Sequence, residues 1–492
     1  MLNKKNNFLK FIIPVVLVTG ITGCKKDFLE VVPKGVAIAT TTSDYELLLN
    51  DRTLTLVVQT SHIVMSDELA GFNLLYAVGA GIASISDQKA FEYQDDLYLP
   101  ADKNSELTLL ERQLYTYNKV INQVMDSKEG NEAQKRALKA EALAGRAWVH
   151  FMLVNYYGKP FSAATAATDP GIPLVTVADV TQTSFTRASV QAAYDLVIAD
   201  LTTAIPDLPA KIIARGRMSK AAGEALLGKV YMYMQQFDKA LPMLKNAIEH
   251  LASPGNVAIG LYDYNGAFAA GGAFFPVNPF TGPNRFNLEI DREVVYLKQF
   301  VNIYSYILSG IAVKPATAAL FSKPDLRLNF FTADPYPPIG ISFPSGMIRA
   351  YGRYTNLGIS IPDIYLLKAE CEARNNQLAD AVTGLVAFRK LRMHKDSVNA
   401  ADIPVAIAND QVALTKFILQ ERIREFTVTG ERWWDMRRLS VDETYKSTID
   451  WTHTVYDMAG NVTGTYPLKP ERLTFRFPQY IMTANPGLQQ NP

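Results

Sequence analysis

The stretch that decides the fold reads GEALLGKVYMYMQQFDKALPMLKNAIEHLASP, residues 223–254. Its small and apolar residues recur at three- and four-residue steps, the period of a helix face. Leu227, Gly228 and Tyr231 fall on one such face, and Ala240, Leu244 and Ala247 on another. Small residues at 228, 240 and 247 let two helices approach closely, while the larger residues fill the gap between them. The stretch therefore reads as two helices folded back on each other.

These six residues also sit at the offsets of the tetratricopeptide pattern, a repeat of about 34 residues, with Glu224 where that pattern has tryptophan. A plain antiparallel helix hairpin accounts for the same residues, and both readings are α-helical. Working outward, 105–127 carries Leu110, Leu114, Tyr117 and Val124 at helical spacing, and a Gly130-Asn131 turn follows. The next segment, 132–157, has a narrow stripe of Ala137, Ala140, Ala144, Ala147 and Phe151 suited to close packing. Residues 187–208 supply a helix to pair with the 223 segment. A further hairpin, 364–374 with 378–392, breaks at Asn375-Asn376. A long helix over 411–429 is expected to end at Gly430, a good terminating residue. Leu473, Phe475 and Phe477 alternate as in a short strand.

Residues 253–360 differ. They are rich in Gly, Pro, Asn, Phe and Tyr and hold no long periodic run; GGAFFPVNPFTGPNRF cannot continue a helix. A loop region of this length is usually functional or disordered, and its aromatic content argues against disorder. The reading is a helical-repeat scaffold with a loop-rich face laid across it.

The amino terminus speaks to location. Lys4, Lys5 and Lys10 flank an apolar run from residue 11 to about 21, and no acid stands ahead of Cys24. A helix crossing a bilayer needs about 20 apolar residues, so this run reads as a secretory signal. It closes on Ile21-Thr22-Gly23-Cys24, which resembles the bacterial lipobox. That resemblance implies removal of residues 1–23 as a signal peptide and acylation of Cys24 on sulfur and then on its amine. One acyl chain holds a protein marginally on a membrane, whereas two or more hold it stably.

Composition narrows the function classes. Without the three lysines of residues 1–23, the 49 basic residues become 46 against 48 acids. This balance leaves no electrostatic footprint for nucleic acid. If Cys24 carries lipid, Cys371 has no disulfide partner. His62, His150, His250, His394 and His453 are scattered without metal-ligand spacing, and no HExxH, CxxC, P-loop or GxSxG motif occurs. No cofactor, metal or catalytic residue is expected. Asp67-Glu68 is the pair to test for glycoside hydrolysis, although capping or a loop hydrogen bond is the preferred account. The Trp433-Trp434 doublet between Arg432 and Arg437-Arg438 reads as a ligand platform or, preferably, as buried packing for the last helix.

Six segments together resemble the SusD/RagB family of surface glycan-binding lipoproteins, in the family's order. They are CKKDFLEVVPKG from Cys24, KAEALAGRAWVHFMLVNYYGKPF from Lys139, GRMSKAAGEALLGKVYMYM from Gly216, IYLLKAECEA from Ile364, LQERIREFTVTGERWWDMRR from Leu419 and FPQYIMTANPGLQQNP from Phe477. The tail lacks the Gly-Tyr that often follows Gln-Asn-Pro in the family. The resemblance implies a mostly α fold of tetratricopeptide-like helix pairs in a right-handed superhelix. After the leader 1–23, residues 24–492 form one domain with a loop-rich insertion at about 253–360. It implies a lipid-anchored protein on the outer face of the outer membrane, without catalysis. Such a protein binds an oligosaccharide and passes it to a SusC-like TonB-dependent transporter. A peptide or other nutrient, a glycoside hydrolase and a pure tetratricopeptide scaffold stay open as alternatives. Sugar faces are apolar and their edges polar, so aromatic rings in loops are the expected contacts. The candidates are Tyr76, Tyr93 and Tyr98 before the first helix pair, and Tyr262, Tyr264, Tyr304 and Tyr306 in the insertion.

Overall fold

The 223 segment forms a hairpin of two helices, and the same turn recurs in a second hairpin. The computed structural model describes residues 39–492 apart from 59–60, 104, 253–254, 256, 285–286, 306, 337–339, 345 and 353. Its longer helices are α1 (Leu107–Gln123), α2 (Glu132–Tyr157), α3 (Val190–Ala204), α4 (Lys220–Tyr233), α5 (Phe237–Leu251), α6 (Ile361–Arg374), α7 (Leu378–Lys390), α8 (Gln411–Phe426) and α9 (Glu431–Ser440). Between α4 and α5 the chain turns at Gln235, φ 57°, and the Gln236 amide donates to the Tyr231 carbonyl at 2.9 Å. Between α6 and α7 it turns at Asn376, φ 58°, and the Gln377 amide donates to the Glu372 carbonyl at 2.7 Å. Two unrelated stretches thus close by one device, as a structural repeat requires.

Small residues set the packing. A Cβ on Gly228 would lie 2.8 Å from Cγ of Leu244, so only glycine lets α4 and α5 meet there. Asn131 caps α2 reciprocally with Gln134, each bond 2.9 Å. Helix α1 packs on α2, α2 on α3, α4 on α5, α5 on α6, and α6 on both α7 and α8. The architecture is mostly α-helical, built from tetratricopeptide-like helix pairs. Helix α3 rests more on α2 than on its expected partner in the 223 segment.

Three expectations change. The helix expected to reach Thr429 stops at Phe426, because Gly430 (φ 94°) starts a new helix instead of ending the old one. Trp433 and Trp434 therefore lie within α9, both buried. The alternating Leu473, Phe475 and Phe477 make no ladder. A short 3₁₀ turn, Pro470–Leu473, leads into extended chain, where the Phe475 amide donates to the Tyr156 carbonyl at 2.8 Å. The loop-rich region contributes one strand to a sheet that the periodicity did not reveal. Its strands are β1 (Leu69–Phe72), β2 (Ile311–Val313), β3 (Thr452–Tyr456) and β4 (Val462–Pro467), in the order β4-β3-β1-β2. Strand β1 runs parallel to β3, with Gly71 opposite Val455, and antiparallel to β2, with Leu69 opposite Val313.

Buried charges tie the C-terminal helices together. Arg422 on α8 donates to Asp363 on α6 at 2.8 Å and to Asp435 on α9 at 2.9 Å. Arg438 grips Glu370, both bonds 2.7 Å, and Lys229 on α4 reaches Asp363 and Glu431. Each charge has an opposite partner, which is how ions are tolerated in an interior.

Residues Thr41–Pro492 form one compact unit, and Cys24 lies outside the described residues. Among the described residues no helix is long and apolar enough to cross a membrane.

Candidate functional site

A cleft of about 960 Å³ opens beside the first helix pair, and three rigid pieces build it. One wall is the 3₁₀ turn Arg52–Thr55 and the chain through Val58. The buried Lys298 ammonium braces it, donating to the Leu54 carbonyl and to Gln113 Oε1 at 3.1 Å. The Lys298 Nζ also lies 4.5 Å from the Trp148 ring centroid. Burial without a carboxylate beside it drives the Lys298 amine well below its ordinary range.

The floor is the strand Gln299–Val301, paired with Tyr354–Asn356 so that Val301 stands opposite Tyr354. The third piece is the start of the helix Ile85–Phe91. Ser84 caps it, accepting from the Asp87 amide at 3.0 Å, while the Ser84 hydroxyl donates to Asp87 Oδ2 at 3.0 Å. Ser86 donates to Asp102 Oδ2 at 3.1 Å, fixing a second carboxylate at the cleft. Burial pushes the Asp87 carboxyl up, and hydrogen bonds from Ser84 and Tyr304 partly offset that. Arg52 and Glu289 pair across the exposed rim at 3.3 Å.

The cleft thus combines apolar surface from Leu56, Val57, Phe300 and Tyr354 with hydroxyl, carboxylate and amide edges. A few polar groups fixed around an apolar lining suit a ligand with polar edges and apolar faces.

The expected tyrosines that lie among the described residues do not line this cleft. Tyr304 is 2% exposed and stands behind it, its hydroxyl accepting from the Ala83 amide at 3.3 Å. Tyr93 is core: its ring stacks on His453 at 4.3 Å and its hydroxyl donates to the Met65 carbonyl at 3.1 Å. Tyr264 is buried in a cluster with Phe274 and Phe330, and Tyr262 packs half-buried on the same cluster. Tyr98 is half-buried, its hydroxyl turned to Glu106 and to Tyr157. Tyr76 is half-buried against Phe91 and donates to Glu92 Oε1 at 3.1 Å. Tyr306 lies outside the described residues. For Tyr93, Tyr264 and Tyr304 the expectation of an exposed ring is corrected, since loop-like sequence here packs as core. Of the groups at the cleft, the Ser84-x-x-Asp87 capping motif was open to sequence reading, and Tyr354 was not.

Asp67 and Glu68 are both buried and neither lines the cleft. Arg432 holds Asp67, and the Val428 amide donates to Glu68 Oε1 at 2.8 Å.

Residues 27–232 match a family model described as starch-binding associating with outer membrane, and residues 354–492 match the model of the SusD family. The chain belongs to the SusD/RagB family. A SusD-like protein from Formosa agariphila is 23% identical over 397 residues, 71% of this chain and 73% of that protein. A SusD superfamily protein from Bacteroides thetaiotaomicron shares the fold with a TM-score of 0.67 at 18% identity, covering 92% of this chain and 100% of that one. A SusD-like carbohydrate binding protein from Bacteroides vulgatus follows with a TM-score of 0.64 at 15% identity, covering 91% and 97%. At these identities the structural likeness speaks for the SusD fold alone. The two matched stretches leave 233–353 between them, and this stretch supplies Glu289, Gln299 and Phe300 to the cleft.

Proposed function

We propose that this SusD/RagB protein is a non-catalytic surface lipoprotein that binds a nutrient oligomer, an oligosaccharide above all, in the Tyr354 cleft. It passes the ligand to a SusC-like TonB-dependent transporter in the outer membrane. In this reading residues 1–23 are the leader, Cys24 carries the lipid anchor, and 24–492 is the working domain. The observation that carries the ligand assignment is the cleft itself, where the partly exposed Tyr354 ring lies among fixed carboxylates and hydroxyls. The Tyr354 ring can cover the C–H face of a sugar while Ser84, Ser86, Asp87 and Asp102 meet its hydroxyls. Family membership supports the membrane setting and binding in place of chemistry.

Trp148, Trp433, Trp434 and Trp451 line no part of this cleft, so its stacking surface is modest, which favours a peptide nutrient as the second reading.

The test is calorimetric titration of residues 25–492 with panels of oligosaccharides and peptides, followed by chromatography of the recovered ligand. The proposal expects one ligand class to bind, Tyr354→Ala to weaken it, and the ligand to return uncut. Cleaved product, or silence across both panels, overturns it. Fatty-acid labelling of cells should mark the wild type and leave Cys24→Ala unlabelled.

A further inference from the structure

The wall through Arg52–Val58 and the floor strand Gln299–Val301 of the Tyr354 cleft are joined by Lys298, which immediately precedes the floor strand and is fully buried. Its main chain is fixed first. The Lys298 amide donates to Asn356 Oδ1 at 2.8 Å, and its carbonyl accepts from the Leu357 amide at 2.8 Å. From that anchored backbone the side chain reaches the wall. The amine donates to the Leu54 carbonyl, to Gln113 Oε1 at 3.1 Å and to the Tyr117 hydroxyl at 3.2 Å. An ammonium carries three N–H donors, and three acceptors meet them here.

Gln113, buried on α1, extends the hold. Its Nε2 donates to the Thr53 carbonyl at 3.0 Å and to the Leu56 carbonyl at 2.8 Å, which turns Oε1 toward Lys298. The wall carbonyls of Thr53, Leu54 and Leu56 thus all end on two buried side chains. The Val57 amide adds a main-chain bond to the Gln299 carbonyl at 2.9 Å. Among the described residues no carboxylate pairs with Lys298. The rings of Trp148, Tyr296 and Tyr117 surround the charge instead, their centroids 4.5, 5.1 and 5.5 Å from Nζ. Burying an amine without a counter-charge costs free energy. A methionine fills a similar volume, so packing alone does not call for lysine. What the amine adds is directed donors to a wall whose own secondary structure is a single 3₁₀ turn.

We infer that Lys298 and Gln113 are positioning residues of the cleft. Neither lines it, and both act through the wall, whose distance from the floor they set by holding its carbonyls. The identity of the cleft as a nutrient site rests on the reading above, whereas the wall can be tested with no ligand present.

Amide hydrogen exchange of residues 25–492 reports on the wall directly. Lys298→Met keeps an unbranched stem and loses the donors. Gln113→Glu keeps an acceptor for Lys298 and loses the donors to Thr53 and Leu56. Each is expected to speed exchange of the Leu54, Leu56 and Val57 amides about tenfold while α4 and α5 exchange as before. In Lys298→Ala, propylammonium is expected to restore protection, because it returns N–H donors on the missing stem. Tetramethylammonium, which has the charge and no donor, is not. Each oligosaccharide or peptide that binds the wild type in calorimetry is expected to bind Lys298→Met about tenfold more weakly at nearly unchanged Tm. Silence of both panels overturns the nutrient reading and leaves hydrogen exchange to decide this one. Unchanged wall exchange in both variants, loosening that spreads equally to α4 and α5, equal rescue by the two cations, or a binder that Lys298→Met does not weaken overturns the inference.

Discussion

Arg432 grips Asp67 through two parallel bonds, Nε to Oδ1 and Nη2 to Oδ2, both 2.6 Å, although 365 positions separate the two residues in the chain. Burial alone would raise the Asp67 carboxyl, but the guanidinium beside it holds it below the usual carboxylate range. Asp67 also accepts from the Asp450 amide at 2.9 Å, so one carboxylate joins the start of the sheet, α9 and the approach to β3.

Removing either partner leaves an uncompensated buried charge. Asp67→Ala and Arg432→Ala are each expected to lose about 3–5 kcal/mol in denaturant unfolding. The double variant should lose less than the sum of the two. Strict additivity would show that the two side chains do not act as a pair.

Glu68 governs a pH response. Burial, reinforced by the Asp67 charge and opposed by the Val428 amide, pushes its carboxyl up to about 8. A carboxyl raised in the folded state contributes stability that is full below the ordinary carboxylate range and lost as pH rises toward 8. Wild type should therefore lose up to about 1.4 kcal/mol per pH unit relative to Glu68→Gln between pH 5 and 8. Glutamine keeps the oxygen that accepts from Val428. Parallel stability curves for the two proteins would refute the assignment.

Tyr354 at the cleft and Tyr304 buried behind it should behave oppositely. Tyr304→Ala empties a buried site and is expected to cost about 3–5 kcal/mol of stability. Tyr354→Ala truncates a partly exposed ring. It should weaken ligand binding about fivefold while moving the Tm little. Thermal melts and titrations of both variants decide the matter, and a stable Tyr304→Ala would return that ring to the list of contacts.

At Gly430 any side chain meets two obstacles. Its φ is 94°, and a Cβ would stand 2.4 Å from Nε2 of His62, whose ring stacks on Trp434. Gly430→Ala should lose about 1–3 kcal/mol or more, read as a fall in denaturation midpoint. Unchanged stability would mean that the turn can be rebuilt without glycine.

Helices were the legible part of this chain: α1 and α5 bury one face each, so their periodicity survives in the sequence, while α2 and α4 are buried almost all round and are read from their small-residue spacing. The limits of α2 read off 132–157 directly, where Asn131 and Gln134 announce the start. The sheet was not legible. Strands of three to six residues leave little local signal, and β1 finds its partners β2 and β3 hundreds of positions away, although β3 and β4 are neighbours in the chain. The site suffered most from that. Tyr93 and Tyr304 stand in sequence that reads as loop, yet stacking on His453 and packing behind Asp87 make them core. Tyr354 faces the cleft only because its strand pairs with Gln299–Val301.

The parallel pairing of β1 with β3 also sets an order of events in time. Strand β1 leaves the ribosome early, but its partner, Thr452–Tyr456, does not exist until most of the polypeptide has been made. Until then Asp67 lacks Arg432, and the Phe91 and Tyr93 rings lack the His453 imidazole they sandwich. The helix hairpins can form as they emerge, since their contacts are local, whereas closing the sheet waits for a long loop to return. The sheet and the buried Asp67–Arg432 pair are thus among the last parts of the fold that the growing chain can complete.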